Sequence, residues 1–284
     1  MKNLMTNNIN LIPSKKIIQA KPFLRWAGGK TWLIKHLNNV KTFKFNNYHE
    51  PFLGGGATFF YINPSETSYL SDLNEQLIDT YIAIRDNVNL VINKLKTFEN
   101  SEKQYYIIRD TEFLEIHERA AKFIFLNQTS FNGIYRVNLK GVYNVPYGYR
   151  NKNFLDEELL RLSSTSLRKT ELVASDFDIV RNNIREGDLV FLDPPYTVSH
   201  NDNGFIKYNE KLFSLDDQYR LSNLISYIKE QNAYYILTNA AHNKVKEIFE
   251  KNDSLHELPR ASLIGGTNAV RGSFNEFVFT NLAI

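Results

Sequence analysis

The chain has 284 residues, of which 43% are hydrophobic and 23% charged, as expected for one large α/β domain with an insertion or for two domains. It contains no cysteine, which excludes disulfides, thiolate metal sites and cysteine nucleophiles, and no apolar run approaches the ~18 residues of a membrane span. The formal net charge of +3 permits a nucleic-acid partner without requiring one.

Residues 1–20 are rich in Asn, Lys and Ile. They lack the compact apolar core and the small-residue cleavage site of a signal peptide. We therefore expect a poorly ordered leader and a cytoplasmic protein.

The next segment, Trp26-Ala27-Gly28-Gly29-Lys30-Thr31, resembles half of a phosphate-binding loop. The full pattern requires a glycine at position 24, which is Leu24, so an ATPase is excluded by spacing. Trp26 and Lys30 could instead hold a ligand that has an aromatic part and a carboxylate. A loop at a helix start with a solvated lysine is the alternative.

A predicted strand at residues 48–53 runs into Gly54-Gly55-Gly56, where a strand-to-helix turn lets backbone approach a ligand closely. Phe59 occupies the third glycine position of the dinucleotide fingerprint. The next predicted strand, residues 67–72, ends in Asp72, which could accept hydrogen bonds from ribose hydroxyls. These features favour a nucleoside ligand over a dinucleotide, the alternative being a tight turn and an unrelated Asp.

Helical spacing of apolar residues begins at Asn74 and continues, with breaks, to about Asn127. Residues 131–150 differ, because glycines, asparagines and aromatics alternate there with basic residues, which indicates a hairpin. Arg can bind guanine, Asn can pair with adenine or phosphate, and an aromatic ring can wedge into a base stack. The segment is either a nucleic-acid reader or a surface hairpin that covers the core.

The apolar run at residues 188–192 predicts a buried parallel strand, and Asp193-Pro194-Pro195-Tyr196 closes it. Two prolines end the ladder because neither has an N–H to donate. One carboxylate, one stiff carbonyl and one ring then stand together at a strand end, where α/β sheets bind ligands. They could hold a flat ring bearing an amine, although Asp-Pro-Pro also forms ordinary turns.

Further strands are predicted at residues 171–174, 234–237, 254–258 and 277–281. Alternating strands and helices predict a mostly parallel sheet, with the helical middle of the chain inserted between two sheet segments. The six histidines show no metal-ligand spacing and no G-x-S-x-G elbow occurs, so no metal site and no acyl transfer are expected.

Taken together, the motifs resemble those of the Dam family of adenine-N6 DNA methyltransferases, the alpha class, over nearly the whole chain from Lys21. The segments that carry the resemblance occur in the family's order: residues 26–30 (WAGGK), 50–56 (EPFLGGG), 71–72 (SD), 131–136 (FNGIYR), 143–146 (YNVP), 175–177 (SDF) and 193–196 (DPPY).

The resemblance implies an α/β fold, a Rossmann-like S-adenosylmethionine-dependent methyltransferase sheet with an inserted, mostly helical DNA-recognition domain carrying a β-hairpin. Residues 1–20 would be the leader, 21–75 and 165–284 the catalytic domain, and 76–164 the target-recognition domain. Cofactor-binding residues carried over from the family are Trp26, Lys30, Gly54, Gly56, Asp72, Asp176, Phe177 and Asp193. Ser175 stands where the family usually has glycine.

The catalytic residues implied are Asp193, Pro194 and Tyr196. Those implied to contact DNA are Arg25, Phe131, Asn132, Arg136, Asn138 and Pro146. Phe131 would wedge into the opened duplex, and Arg25 would help to read the first base. Tyr149 and Arg150 stand in the opposite order to that of the family's GATC-specific members.

The resemblance implies methyl transfer to a flipped-out adenine in duplex DNA, within GATC because residues 131–136 match the family core. A cytosine-N4 or RNA methyltransferase, a nicotinamide oxidoreductase and a DNA-binding protein without catalysis are the alternatives. The expected partner is double-stranded DNA, with no membrane and no metal. A monomer of bacterial or phage origin is expected, and a cognate restriction endonuclease is a candidate partner.

Overall fold

The computed structural model describes residues 19–138, 141–196, 213–261 and 273–282. Most of the predicted leader lies outside them. Its last two residues contact the body of the protein: the Gln19 amide donates to the Tyr61 carbonyl oxygen at 2.8 Å, and Ala20 is buried. Within the described residues, no helix is both long and apolar enough to cross a membrane.

Seven strands form one sheet in the order β3-β2-β1-β4-β5-β7-β6. The strands are β1 (Tyr48–Glu50), β2 (Ser68–Asp72), β3 (Thr170–Ala174), β4 (Leu189–Leu192), β5 (Tyr234–Ala240), β6 (Ser254–Ala261) and β7 (Ser273–Thr280). The first five are parallel, whereas β7 runs antiparallel between β5 and β6. This arrangement confirms the predicted Rossmann-like methyltransferase sheet, and every predicted strand is present.

Two short helices flank β1 in the chain, and longer helices come after β2. The helices are α1 (Asn38–Thr42), α2 (Ala57–Ile62), α3 (Glu75–Leu95), α4 (Glu102–Asp110), α5 (Ile116–Thr129), α6 (Glu157–Ser166), α7 (Val180–Asn183), α8 (Leu215–Glu230) and α9 (Asn243–Phe249). Several begin at side chains that accept a backbone N–H, as the Asn74 amide does at α3 and the Ser214 hydroxyl does in the capping box of α8.

The sheet is covered on both faces, because successive side chains of a strand point to opposite sides. Leu189 and Phe191 join a buried apolar cluster that includes α3, α5 and α6, whereas Val190 and Leu192 join a second cluster with α7, α8 and α9. The first cluster continues from the sheet into the helices between β2 and β3. The chain segment 73–169 therefore packs against the sheet through shared apolar side chains.

The predicted hairpin at residues 131–150 contains two isolated antiparallel bridges, Ser130 with Tyr147 and Val137 with Tyr143. Backbone hydrogen bonds lie beside each of the two bridges, including one from the Phe131 N–H to the Pro146 carbonyl at 2.9 Å. The segment is thus an antiparallel loop with local bridges and not a continuous two-stranded ladder. Its irregular pairing leaves many side chains directed to solvent.

Candidate active site

Acidic side chains gather at the carboxyl edge of the parallel strands. Glu50 ends β1, Asp72 ends β2, Asp193 follows β4, and Asp176 follows β3 by two residues. The strand order reverses between β1 and β4, and such a reversal opens a crevice in which α/β proteins bind ligands. Parallel pairing therefore brings residues from four separate motifs to one side of the sheet.

The Asp193 carboxylate is held by two donors from different parts of the fold. Lys30 Nζ lies 2.7 Å from Asp193 Oδ1, and the Thr238 hydroxyl of β5 donates to the same oxygen at 2.8 Å. Burial raises the pKa of Asp193, and the Lys30 ammonium and the Thr238 hydrogen bond oppose this rise. Both of these contacts end on Oδ1, so neither of them occupies Oδ2.

Tyr196 is fixed at its hydroxyl and over its ring. The hydroxyl donates to Glu276 Oε2 of β7 at 2.6 Å, and Lys30 Nζ lies 4.9 Å from the ring centroid. Burial raises the pKa of the Tyr196 phenol, and the negative charges of Asp193 and Glu276 raise it further. Lys30 thus contacts the carboxylate and the ring of the same tetrapeptide. Pro194, between them, is buried.

The glycine turn after β1 packs against Trp26 and is tied to β2. Gly54 has φ +48°, and its N–H donates to Asp72 Oδ2 at 2.9 Å. A Cβ on Gly54 would lie 2.8 Å from Trp26 Cδ1, so a side chain there would displace the indole. Gly56, with φ +66°, precedes α2. Four of the predicted cofactor residues therefore stand together.

Trp26 also contacts the segment between β2 and β3. Its ring stacks on Tyr135 of the hairpin at a centroid distance of 5.3 Å and on Phe123 of α5 at 6.4 Å. The loop that precedes β1 is therefore joined to the hairpin by aromatic packing. Burial raises the pKa of nearby Asp72, and hydrogen bonds from the N–H groups of Asn74 and Gly54 oppose that rise.

Glu50 is a buried acid beneath this turn. It accepts a hydrogen bond from the Tyr48 hydroxyl at 2.8 Å. Burial raises its pKa to about 8, the Tyr48 hydrogen bond opposes the rise, and the Asp193 charge adds to it. The Glu50 side chain is therefore mostly protonated at neutral pH, which keeps a second negative charge away from Asp193.

Asp176 and Phe177 lie after β3, beneath Arg220 of α8. The Asp176 carboxylate accepts from both terminal guanidinium nitrogens of Arg220, at 2.7 and 3.3 Å. The same guanidinium lies 4.7 Å from the Phe177 ring centroid, and Phe52 stacks on that ring at 5.4 Å. Phe177 is only 3% exposed. Contact between Phe177 and a ligand would thus require Arg220 or Phe52 to move.

The residues implied to contact DNA lie on the hairpin and are exposed: Phe131, Asn132, Arg136, Asn138 and Pro146. The Phe131 ring is 55% exposed, and Asn132 adopts the left-handed conformation with φ +55°. Arg136 Nε donates to Asn144 Oδ1 at 2.9 Å, whereas Asn138 Oδ1 accepts from the Val142 N–H at 3.1 Å. The structure brings these five to one loop.

Arg25 lies under this loop, next to Gly133. Its backbone is clamped by the Asn127 amide, which accepts from the Arg25 N–H at 2.8 Å and donates to its carbonyl at 2.7 Å. Guanidinium atom Nη1 is buried and has no hydrogen-bond partner among the described residues. Burial lowers the pKa of Arg25, and the charge of Arg150 lowers it further. A buried donor without a partner costs free energy, and an external acceptor could reach this one only if the residues that cover it moved.

Sequence reasoning did not identify Thr238, Glu276, Arg260 or Arg220 as site residues. Thr238 and Glu276 each lie one residue outside the strands predicted at 234–237 and 277–281, and the observed strands are longer and include both residues. Nothing in the local sequence indicates that these strands pass beside Asp193. Pairing of β7 with β5 places Glu276 opposite Ala240, at the carboxyl edge. Only knowledge of the strand order could have revealed them.

Among the described residues, no group of three or more His, Cys, Asp or Glu side chains could hold a metal ion.

Comparison with known proteins supports the same assignment. Residues 26–262 match the family model described as D12 class N6 adenine-specific DNA methyltransferase. The type II methyltransferase M1.LlaDCHI of Lactococcus lactis subsp. cremoris is 32% identical over 96% of this chain and 99% of its own length. The type II methyltransferase M.MjaIII of Methanocaldococcus jannaschii is 35% identical over 78% of this chain and 85% of its own.

A DNA adenine methylase of Haemophilus influenzae is 30% identical over 84% of this chain and 87% of its own length. The family model covers most of the chain, including the glycine turn, the hairpin and the Asp193 tetrapeptide. The match to an adenine-specific family confirms the predicted enzyme class. The chain belongs to the D12 class of N6 adenine-specific DNA methyltransferases.

Proposed function

We propose that the protein transfers a methyl group from S-adenosylmethionine to the N6 atom of an adenine flipped out of duplex DNA, within the sequence GATC. The observation that carries the proposal is the meeting of Asp193, Lys30 and Tyr196 beside the glycine turn. A carboxylate and an aromatic ring held by one cation suit a flat base that bears an exocyclic amine.

The residues around the turn fit the proposed cofactor. Asp72 and Asp176 offer acceptors for ribose hydroxyls and for an adenine amino group. Trp26 borders the turn, and Lys30 contacts Asp193. S-adenosylmethionine, when bound, supplies an electrophilic methyl group on a sulfonium sulfur.

Side-chain and backbone groups of the protein would make the adenine N6 amine more nucleophilic. The Asp193 carboxylate and the Pro194 carbonyl would accept the two N6 hydrogens, and Tyr196 would stack on the base. The N6 lone pair is normally delocalised into the ring, so two acceptors favour a more tetrahedral nitrogen with its lone pair free for attack. Asp193 would also stabilise positive charge that develops on that nitrogen, as a preorganised electrostatic group. The proton then lost from N6 would pass to Asp193.

Adenine N6 lies inside the duplex, so the base has to leave the stack, at a cost of a few kcal/mol. The exposed ring of Phe131 is suited to fill the gap, and Arg25 and Arg136 are suited to bind DNA oxygens or base edges. These features favour residues 76–164 as the target-recognition part and residues 21–75 and 165–284 as the catalytic part.

The cytosine-N4 alternative uses the same acceptors, but the family description names adenine. Loss of catalysis is disfavoured because Asp193, Pro194 and Tyr196 are all present. A monomer would suffice for hemimethylated sites, in a cytoplasmic setting. A cognate restriction endonuclease is proposed as a partner because two relatives are named type II methyltransferases.

Methylome sequencing of a host that lacks adenine methylation and expresses the protein tests the proposal. We expect N6-methyladenine in GATC sites, and nucleoside analysis should show no N4-methylcytosine. Methylation centred on another motif would refute GATC alone, whereas the absence of any N6-methyladenine would refute the activity. A host that expresses Asp193→Ala serves as the control.

A further inference from the structure

The Tyr196 ring needs a fixed position if a base is to stack on it, and its hydroxyl supplies one point of attachment. The acceptor, Glu276 Oε2, lies 2.6 Å away on β7. The Glu276 side chain is only 4% exposed, and its strand is flanked on both sides by β5 and β6. An interior strand of a sheet is a stiff support, so the acceptor has little freedom to follow the ring.

The second oxygen of Glu276 is also used. Glu276 Oε1 pairs with the Arg260 guanidinium of β6, the neighbouring strand. A carboxylate this deeply buried is costly unless its charge is paired and its oxygens accept hydrogen bonds. Arg260 supplies the pairing charge, and the phenol of Tyr196 supplies the remaining hydrogen bond.

The ring is therefore fixed at two points. Glu276 holds its hydroxyl, and the Lys30 ammonium lies over its face while contacting Asp193. Displacement of the hydroxyl would break the contact with Glu276, whereas rotation of the ring about its own axis would break the contact with Lys30. A misplacement of about 1 Å at a reacting centre can cost about 10²-fold in rate, so the orientation of this ring matters if the target base stacks on it.

We propose that Glu276, with Arg260 as its counterion, is a positioning residue that holds the hydroxyl end of the Tyr196 ring in place and so sets the approach of the target base. This inference rests on the proposed function, which makes Tyr196 the stacking partner of the adenine. A purely structural role is the competing explanation, in which the Glu276–Arg260 pair only joins β6 to β7.

Kinetics of single variants separate the two roles. Glu276→Ala should lower kcat by about ten- to a hundredfold, because a hydrogen bond to a charged acceptor is lost, with KM for DNA nearly unchanged. Glu276→Gln should recover part of the loss, because its amide oxygen still accepts from the phenol. Glu257→Ala is the matched control, since Glu257 makes an exposed contact with Asn275 between the same two strands and should leave kcat unchanged.

A double-mutant cycle tests whether Glu276 acts through Tyr196. In a Tyr196→Phe background the hydroxyl is absent, so Glu276→Ala should cost no more than about twofold further. Equal losses in both backgrounds would overturn the proposal and favour the structural role. Thermal unfolding of each variant identifies any that fail to fold, and Arg260→Gln provides a variant that keeps Glu276 itself.

A measurement that needs no activity completes the test. 3-Fluorotyrosine placed at position 196 should give one narrow ¹⁹F resonance in the parent protein and a shifted or split resonance in Glu276→Ala. An unchanged resonance in a folded Glu276→Ala protein would overturn the proposed contact. If the parent protein methylates no adenine, the proposed function fails while the ¹⁹F result still reports whether Glu276 holds the ring.

Discussion

Lys30 is the residue that connects the separate motifs of the site. Its ammonium touches the Asp193 carboxylate, lies over the Tyr196 ring and donates to the Gly28 carbonyl at 3.0 Å. Lysine suits this position because its compact charge can face a carboxylate and a ring at once. The sequence identified Lys30 as a cofactor residue from its motif, but its contact with Asp193 joins positions too distant in sequence for local patterns to reveal.

Replacement of Asp193 by alanine should abolish methyl transfer and preserve DNA binding. The loss should be at least about 10³-fold in kcat, because the amine loses its charged acceptor and Lys30 loses its partner. Single-turnover methylation and a DNA-binding titration measure the two properties. Asp110→Ala, which removes an exposed carboxylate on α4, is the control, and substantial activity in Asp193→Ala would refute the role.

At the scale of elements, the hairpin depends on residues that lie beneath it. Gly133 has φ +61°, and a Cβ there would lie 2.2 Å from Arg25 Nη1. Gly141, in the same loop, has φ +74° and would meet nothing within 4 Å. The two glycines share a left-handed conformation that would strain any other residue, and they differ in what a side chain would displace, so they form a matched pair.

Gly133→Ala should weaken DNA binding about tenfold, because the new methyl group displaces the Arg25 guanidinium that is expected to contact DNA. Gly141→Ala should cost a similar ~1 kcal/mol of backbone strain but leave DNA affinity within about twofold. Fluorescence anisotropy with a GATC duplex measures the affinities, and chemical unfolding measures the stabilities. Equal effects of both changes on affinity would show that backbone strain alone is responsible.

Local patterns located every strand, most accurately where the strand carries a run of apolar residues bounded by turn residues. Residues 67–72 and 189–192, for example, differ from their strands by one residue at most. The position of β7 between β5 and β6 was not predicted, because antiparallel pairing depends on the shared core and not on local spacing. The roles of Thr238 and Glu276 were missed for the same reason.

At the scale of the whole molecule, the buried acids of the carboxyl edge link stability to pH. Glu50 has a pKa of about 8 in the folded protein and an ordinary value of 4.5. Between these values the folded state keeps a proton that the unfolded chain has released. Its contribution to stability is therefore complete below about pH 4.5, falls as pH rises towards 8, and stays low above that.

Glu50→Gln should remove this dependence, because glutamine has no proton to lose and can still accept from Tyr48. Relative to the parent protein, the variant should gain stability between pH 5 and pH 8.5, by on the order of 3 kcal/mol. Urea unfolding across this range measures the difference. Glu171→Gln, an exposed change on β3, should show no such trend. A constant difference at all pH values would contradict the buried proton.

The place of β7 has a consequence for the order in which the molecule assembles. β5 and β6 precede β7 in the chain, yet β7 lies between them. Until β7 arrives, β5 and β6 each present an unpaired edge that can associate with another chain. Glu276, which accepts the hydrogen bond from the Tyr196 hydroxyl, lies on β7. Insertion of β7 therefore both closes the gap between β5 and β6 and brings Glu276 to the Tyr196 hydroxyl.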